Sequence, residues 1–128
     1  MSDHISSGAY RGWIAGTRGE MSRQTIHRSG ARPLVGMVAL LGVGDAAGTG
    51  TTLYALVARR QAGGYIVARH HVTIWEGSED SYEATLCPTP ADVLAELGGD
   101  EMRSAEQEAW EEAVGHDAAL AAISAVEI

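Results

Sequence analysis

The sequence predicts an α+β domain: an antiparallel β-sheet of four to six strands, followed by two or three C-terminal helices packed on one face. Three observations carry that prediction. Apolar stretches broken by glycines fill residues 10–87, capped segments rich in Ala and Glu fill 88–128, and no linker or internal repeat divides the 128 residues. A chain of this length can bury one modest core without metal or disulfide support, so residues 1–128 are read as a single domain.

Taken in order, residues 1–9 form a polar, flexible lead. Gly8 to Thr17 mixes aromatic and small residues and is expected to be a strand, with Ser22 to Ser29 a weaker second. Arg32-Pro33 leads into "LVGMVALLG", a near-continuous apolar run of the kind buried on both faces. Thr52 to Arg60 and Tyr65 to Trp75 flank Gly63-Gly64, which can supply the positive backbone angles of a hairpin turn. Ser81 to Cys87 is a last strand. The spacing of Leu53, Leu56, Val57 and Arg60 also fits a crossover helix over Thr51 to Arg60, but ten residues is short for that role, and the hairpin is preferred.

The helices announce themselves by their ends. Thr89 can cap, with Pro90 in the first turn and Asp92 three residues after the cap, and Gly98-Gly99 stops the segment. Ser104 and Gln107 fit a capping box, with Ala109, Trp110, Ala113 and Val114 as the buried stripe and Glu108, Glu111 and Glu112 opposite. Asp117 can cap a short last helix carrying Leu120 and Ile123.

Charge is divided unevenly. The net charge is −8, yet residues 1–69 hold eight arginines and three acids, whereas residues 70–128 hold only Arg103 against fourteen acids. No basic-then-apolar leader is visible, the longest apolar run is too short to cross a membrane, and a lone cysteine cannot form an internal disulfide. A cytoplasmic protein is the expectation.

"GVGDAAGTGTT" looks like a phosphate loop, with Gly42, Gly44, Gly48, Gly50 and Thr51 as its nucleotide-binding residues. It fails on spacing and lacks the lysine such a loop uses, and Asp45 would repel phosphate. A plain connection between strands is the preferred reading. Neighbouring strand residues His70 and His71 point to opposite faces and cannot share an ion, so no metal and no cofactor is expected. One imidazole should face solvent and the other the sheet–helix boundary. Cys87 reads as a small buried hydrophobe, and no catalytic residue is assigned.

Two charged surfaces remain. Arg11, Arg18, Arg23, Arg28 and Arg32, with Tyr10 and Trp13, resemble a basic sheet with stacking groups, although the overall charge would repel a nucleic acid. Asp100, Glu101, Glu106, Glu108, Glu111 and Glu112 crowd thirteen residues and could meet a basic groove on another protein.

"LYALVARRQAGGYIVARHHVTIW", "YEATLCPTPADVLAELGG" and the terminal "AVEI" together resemble the C-terminal part of the EXLDI family of small bacterial proteins. The resemblance covers about residues 53–128; it lacks the Leu-Asp-Ile that completes that family's motif, and it implies neither an activity nor a site.

The expected function is therefore that of a small non-enzymatic interaction protein, of the phage- or plasmid-type inhibitor class that includes anti-CRISPR proteins. Its partner would be a protein with a basic surface, met through Asp100, Glu101, Glu108, Glu111 and Glu112. Nucleotide binding at the glycine segment, as a binding protein or enzyme, and nucleic-acid binding at the arginines stand as alternatives. Pairing of the two charged halves within one chain or across a homodimer stays open.

Overall fold

The structure, a computed structural model, describes residues 10–75 and 80–125. The polar lead 1–9 with His4, and the terminal "VEI" 126–128, lie outside the described residues. In chain order the elements are α1 (Arg11–Ala15), β1 (Met21–Ile26), β2 (Leu34–Gly48), β3 (Thr51–Arg60), β4 (Tyr65–Thr73) and β5 (Ser81–Cys87). Then come α2 (Pro90–Leu97), a 3-10 turn (Gly99–Glu101), α3 (Ser104–Val114) and α4 (Ala118–Ser124). The expected α+β class holds: five strands pair in chain order, each antiparallel to the next, and the helices follow.

Turn chemistry sets this order. Gly63 and Gly64 adopt φ of 110° and 80° between β3 and β4, and Gly50 adopts 71° between β2 and β3. Only glycine enters that region freely, so both hairpins close tightly and neighbouring strands pair. Thr51–Arg60 is a strand and not a crossover helix, because it pairs along its length with both β2 and β4. A register shift between Leu40 and Gly42 inserts Leu41 as an extra residue. From there on, Gly42 and Gly44 turn to the face that the C-terminal helices cover.

Strand alternation builds two cores, one on each face. On the helix face, Leu41, Ala55, Val57, Val67 and Cys87 pack against Val93 and Leu97 of α2, Trp110 of α3 and Leu120 of α4. On the other face, Ile26, Val38, Leu40, Leu56, Ala58, Ile66 and Ala68 surround Tyr10. The sheet curls around this second core until its outer strands approach. The Ser29 N–H donates to the Tyr82 carbonyl at 2.8 Å, and the Tyr82 N–H donates to Ser29 Oγ at 2.8 Å.

Two sequence expectations are corrected at the element level. The described part of Gly8 to Thr17 is not a strand; it carries the short helix α1. Tyr10, Trp13 and Ile14 recur at helical spacing, the Ile14 N–H donates to the Tyr10 carbonyl at 2.7 Å, and all three side chains close the second core. Ser104 is not the cap of α3. Arg103 holds that position, and Glu106, rather than Gln107, reaches back to accept its backbone N–H at 3.2 Å. Thr89 and Asp92 do form a reciprocal capping box at α2, and Asp117 caps α4 by accepting from the Leu120 N–H at 3.0 Å. Among the described residues no helix is long and apolar enough to cross a membrane.

Candidate functional site

The glycine segment and the acidic helix prove to be one construction. Gly42 and Gly44 lie in β2 and face α3, where Ala105, Ala109 and Ala113 form a small-residue stripe. A Cβ on Gly44 would meet the Ala105 carbonyl oxygen at 1.9 Å, and one on Gly42 would meet the Ala109 carbonyl oxygen at 2.2 Å. The absent side chains let the helix backbone settle directly on the strand. Gly48 ends β2, Gly50 makes the turn and Thr51 opens β3, so the connecting loop expected here is strand and tight turn. Two backbone N–H groups of the segment already have carboxylate partners. Val43 donates to Glu112 Oε1 and Asp45 to Glu108 Oε1, each at 2.8 Å.

These bonds divide the acidic set. Glu112 also accepts from Arg18 Nε at 3.1 Å, so it neutralises one early arginine and steadies the strand edge. Glu106 is buried at 3% exposure and sits in a charge cluster: Arg69 Nε and Arg103 Nη2 reach its Oε2 at 2.9 and 3.1 Å. Arg69 also reaches Glu96 at 2.9 Å and donates to the Glu96 carbonyl at 2.7 Å. Burial would raise the Glu106 carboxyl, but the bonds from Arg103 and Arg69 outweigh it and hold the carboxyl below the ordinary range. Glu106 thus leaves the outward group to which the sequence assigned it. Asp100 and Glu101 on the 3-10 turn and Glu108 and Glu111 on α3 stay exposed, and no arginine forms an ion pair with any of the four among the described residues.

The arginines of the first half do not assemble into a sheet surface. Arg11 lies on α1, Arg23 on β1, and Arg28 and Arg32 in the β1–β2 loop, where Arg28 Nε donates to the Arg32 carbonyl at 2.7 Å. Arg18 is engaged by Glu112 and by the Ile14 and Gly16 carbonyls. Tyr10, read from sequence as a stacking group, is 2% exposed and belongs to the core. Its hydroxyl accepts the His27 N–H at 2.9 Å, and burial pushes its pKa up to about 12.

His70 lies away from the sheet–helix boundary, on the opposite face. It stacks on Tyr82 at 4.3 Å, meets Tyr10 edge-on at 5.8 Å, and places Nε2 3.1 Å from Asp80 Oδ2. Burial lowers its pKa against the pull of Asp80, so the contact is that of a neutral imidazole donating to a carboxylate. His71 faces the helix side, half-exposed, 3.8 Å from Glu83. Among the described residues no cluster of three or more His, Cys, Asp or Glu could hold a metal ion. Cys87 is buried, and desolvation raises its thiol to about 11.

Sequence reasoning missed the Arg69 cluster and the aromatic box around His70. Both had a signal: a charged residue and a histidine inside the otherwise apolar "YIVARHHV" require partners when buried. Comparison with protein-family models, curated proteins and solved structures finds no match.

Proposed function

We propose that the protein is a non-enzymatic interaction module, which engages a basic surface of a macromolecular partner through the outer side of α3 and the turn before it. The observation that carries this reading is the surplus of exposed carboxylates there. Among the described residues Asp100, Glu101, Glu108 and Glu111 form no ion pair with an arginine, whereas Glu106 and Glu112 do. Carboxylates held along one helix edge attract and orient a cationic groove and favour fast encounter. An inhibitor of the phage or plasmid type, occupying a nucleic-acid groove of its target in the cytoplasm, is the class that fits; this is an analogy of charge and size.

The structure alters the test that sequence alone suggests. Glu112 and Glu108 hold the β2 edge, so reversing them would confound folding with binding. Asp100→Lys, Glu101→Lys and Glu111→Lys together reverse the surface and spare those bonds. The wild type should capture a partner from host lysate at low salt and release it at high salt, and the triple variant, folded by circular dichroism, should capture it far less. Equal capture by the triple variant refutes the reading. A second copy of the chain is the competing basic partner, because Arg23 and Arg32 are also exposed and unpaired among the described residues. Sedimentation at low salt separates that outcome from a foreign partner.

A further inference from the structure

The face of the sheet turned away from α2, α3 and α4 holds a cavity of about 350 Å³, beside the β1–β2 and β3–β4 turns. Its floor is apolar: Ile26, Val38 and Ile66 are each no more than 4% exposed. Among the described residues Val35, Met37, Ile74, Trp75 and Leu86 are the large apolar residues left exposed, and Leu86, paired with Ile66 across the sheet, stands on the cavity's face. Apolar area that folding leaves in water is a gain held for whatever next covers it.

One charged residue interrupts that lining. Arg60, at the end of β3, pairs with Val38 across the sheet and so lies on the cavity's face. It is only partly exposed, yet no carboxylate lies within ion-pair reach of it among the described residues. Its neighbour Arg59 points to the other face and pairs with Asp117 at 3.3 Å, and Arg18, Arg69 and Arg103 also have carboxylate partners. A partly desolvated guanidinium beside an apolar floor offers a charge-assisted, two-pronged contact to a small anion. Gln61 adds the lining's other polar side chain, and the volume falls at the low end of ligand pockets.

We propose that this cavity binds a small amphipathic carboxylate, with its hydrocarbon on Ile26, Val38 and Ile66 and its carboxylate on Arg60. The site is separate from the acidic edge of α3, and its reading stands or falls without it.

The experiment is a calorimetric titration with decanoate below its micellar range, with decanol and acetate as comparators. Two variants are used, Arg60→Gln and Leu86→Glu, both at side chains that folding leaves unpaired or half-exposed. Decanoate should bind the wild type saturably at one site, and acetate should not bind. Arg60→Gln should weaken decanoate by about tenfold or more, the loss of a charge-assisted contact, and leave decanol unchanged. Leu86→Glu, which sets a carboxylate at the mouth, should weaken decanoate more than decanol. Decanoate that never saturates the wild type overturns the proposal, as does equal decanoate affinity in wild type and Arg60→Gln. Should Arg60→Gln fail to fold, equal losses of decanoate and decanol in Leu86→Glu overturn the anion contact. Charge reversal at Asp100, Glu101 and Glu111 should leave decanoate binding intact.

Discussion

Substituting Gly44 by alanine isolates the contact on which the helix layer rests. The new Cβ would stand 1.9 Å from the Ala105 carbonyl oxygen and 2.8 Å from the Ala109 nitrogen, whereas ordinary contact begins at 3.4 Å. Both obstacles are backbone, so no side chain can swing aside, and α3 must retreat by about 1.5 Å. Overpacking of that kind costs about 1–3 kcal/mol. The same retreat stretches the two 2.8 Å bonds from Val43 and Asp45 to Glu112 and Glu108. Their partial loss brings the expected total to about 3–5 kcal/mol, since such bonds contribute about 1.5–3 kcal/mol when charged and less when exposed. Urea denaturation reads this directly, and the melting temperature should fall on the order of 10 °C. Gly12→Ala serves as control, because a Cβ there meets nothing within 4 Å and α1 should gain up to about 1 kcal/mol. A Gly44→Ala protein within about 1 kcal/mol of wild type would refute close docking of helix on strand.

Three further outcomes follow from the buried groups. Glu106→Gln should cost about 3 kcal/mol at neutral pH, because it strips a charge partner from buried Arg69. The Glu106 carboxyl is depressed in the fold, so its stabilisation is present above its ordinary value of 4.5 and lost as pH falls below it. Denaturation curves across that range should show a shallower acid limb in the variant. His70 is shifted the other way for its class: burial lowers it below 6.5, so the unfolded chain takes up a proton first and stability declines as pH drops below 6.5. An NMR titration in which the His70 imidazole protonates above pH 6.5 would contradict that environment. Cys87, with its thiol near 11, should resist a disulfide reagent at neutral pH in the native protein and react once urea unfolds it.

The legible parts of the chain were those where one residue type has one physical use. Gly63-Gly64 turned as the sequence implied, Ser81–Cys87 is a strand, and Thr89 and Asp117 cap where short polar side chains precede helical runs. Tyr10, Trp13 and Ile14 carry the three- and four-residue spacing of a helix, but in a ten-residue window of aromatic and small residues that spacing does not separate helix from strand. The acidic cluster was less legible, because composition cannot say which glutamate has a partner. Glu106 and Glu112 are held by Arg69 and Arg18, which stand 37 and 94 residues away in the chain. The glycine segment misled for the same reason. A glycine kept for flexibility and a glycine kept so that another backbone can approach look alike until the approaching helix is known.

The seating of α3 has a consequence for how the molecule behaves among its own copies. β1 is paired with β2 only from Leu34 to Ala39, so among the described residues the outer rim of β2 runs on toward Gly48 without a neighbouring strand. A naked rim of that length is a template for stacking chains into aggregates. Glu112 and Glu108 fill the hydrogen-bonding positions at Val43 and Asp45 that an intruding strand would need, and they bring negative charge to the same place. Cutting the chain before α3 would therefore remove more than a layer of the core; it would leave a sticky border open to the next molecule.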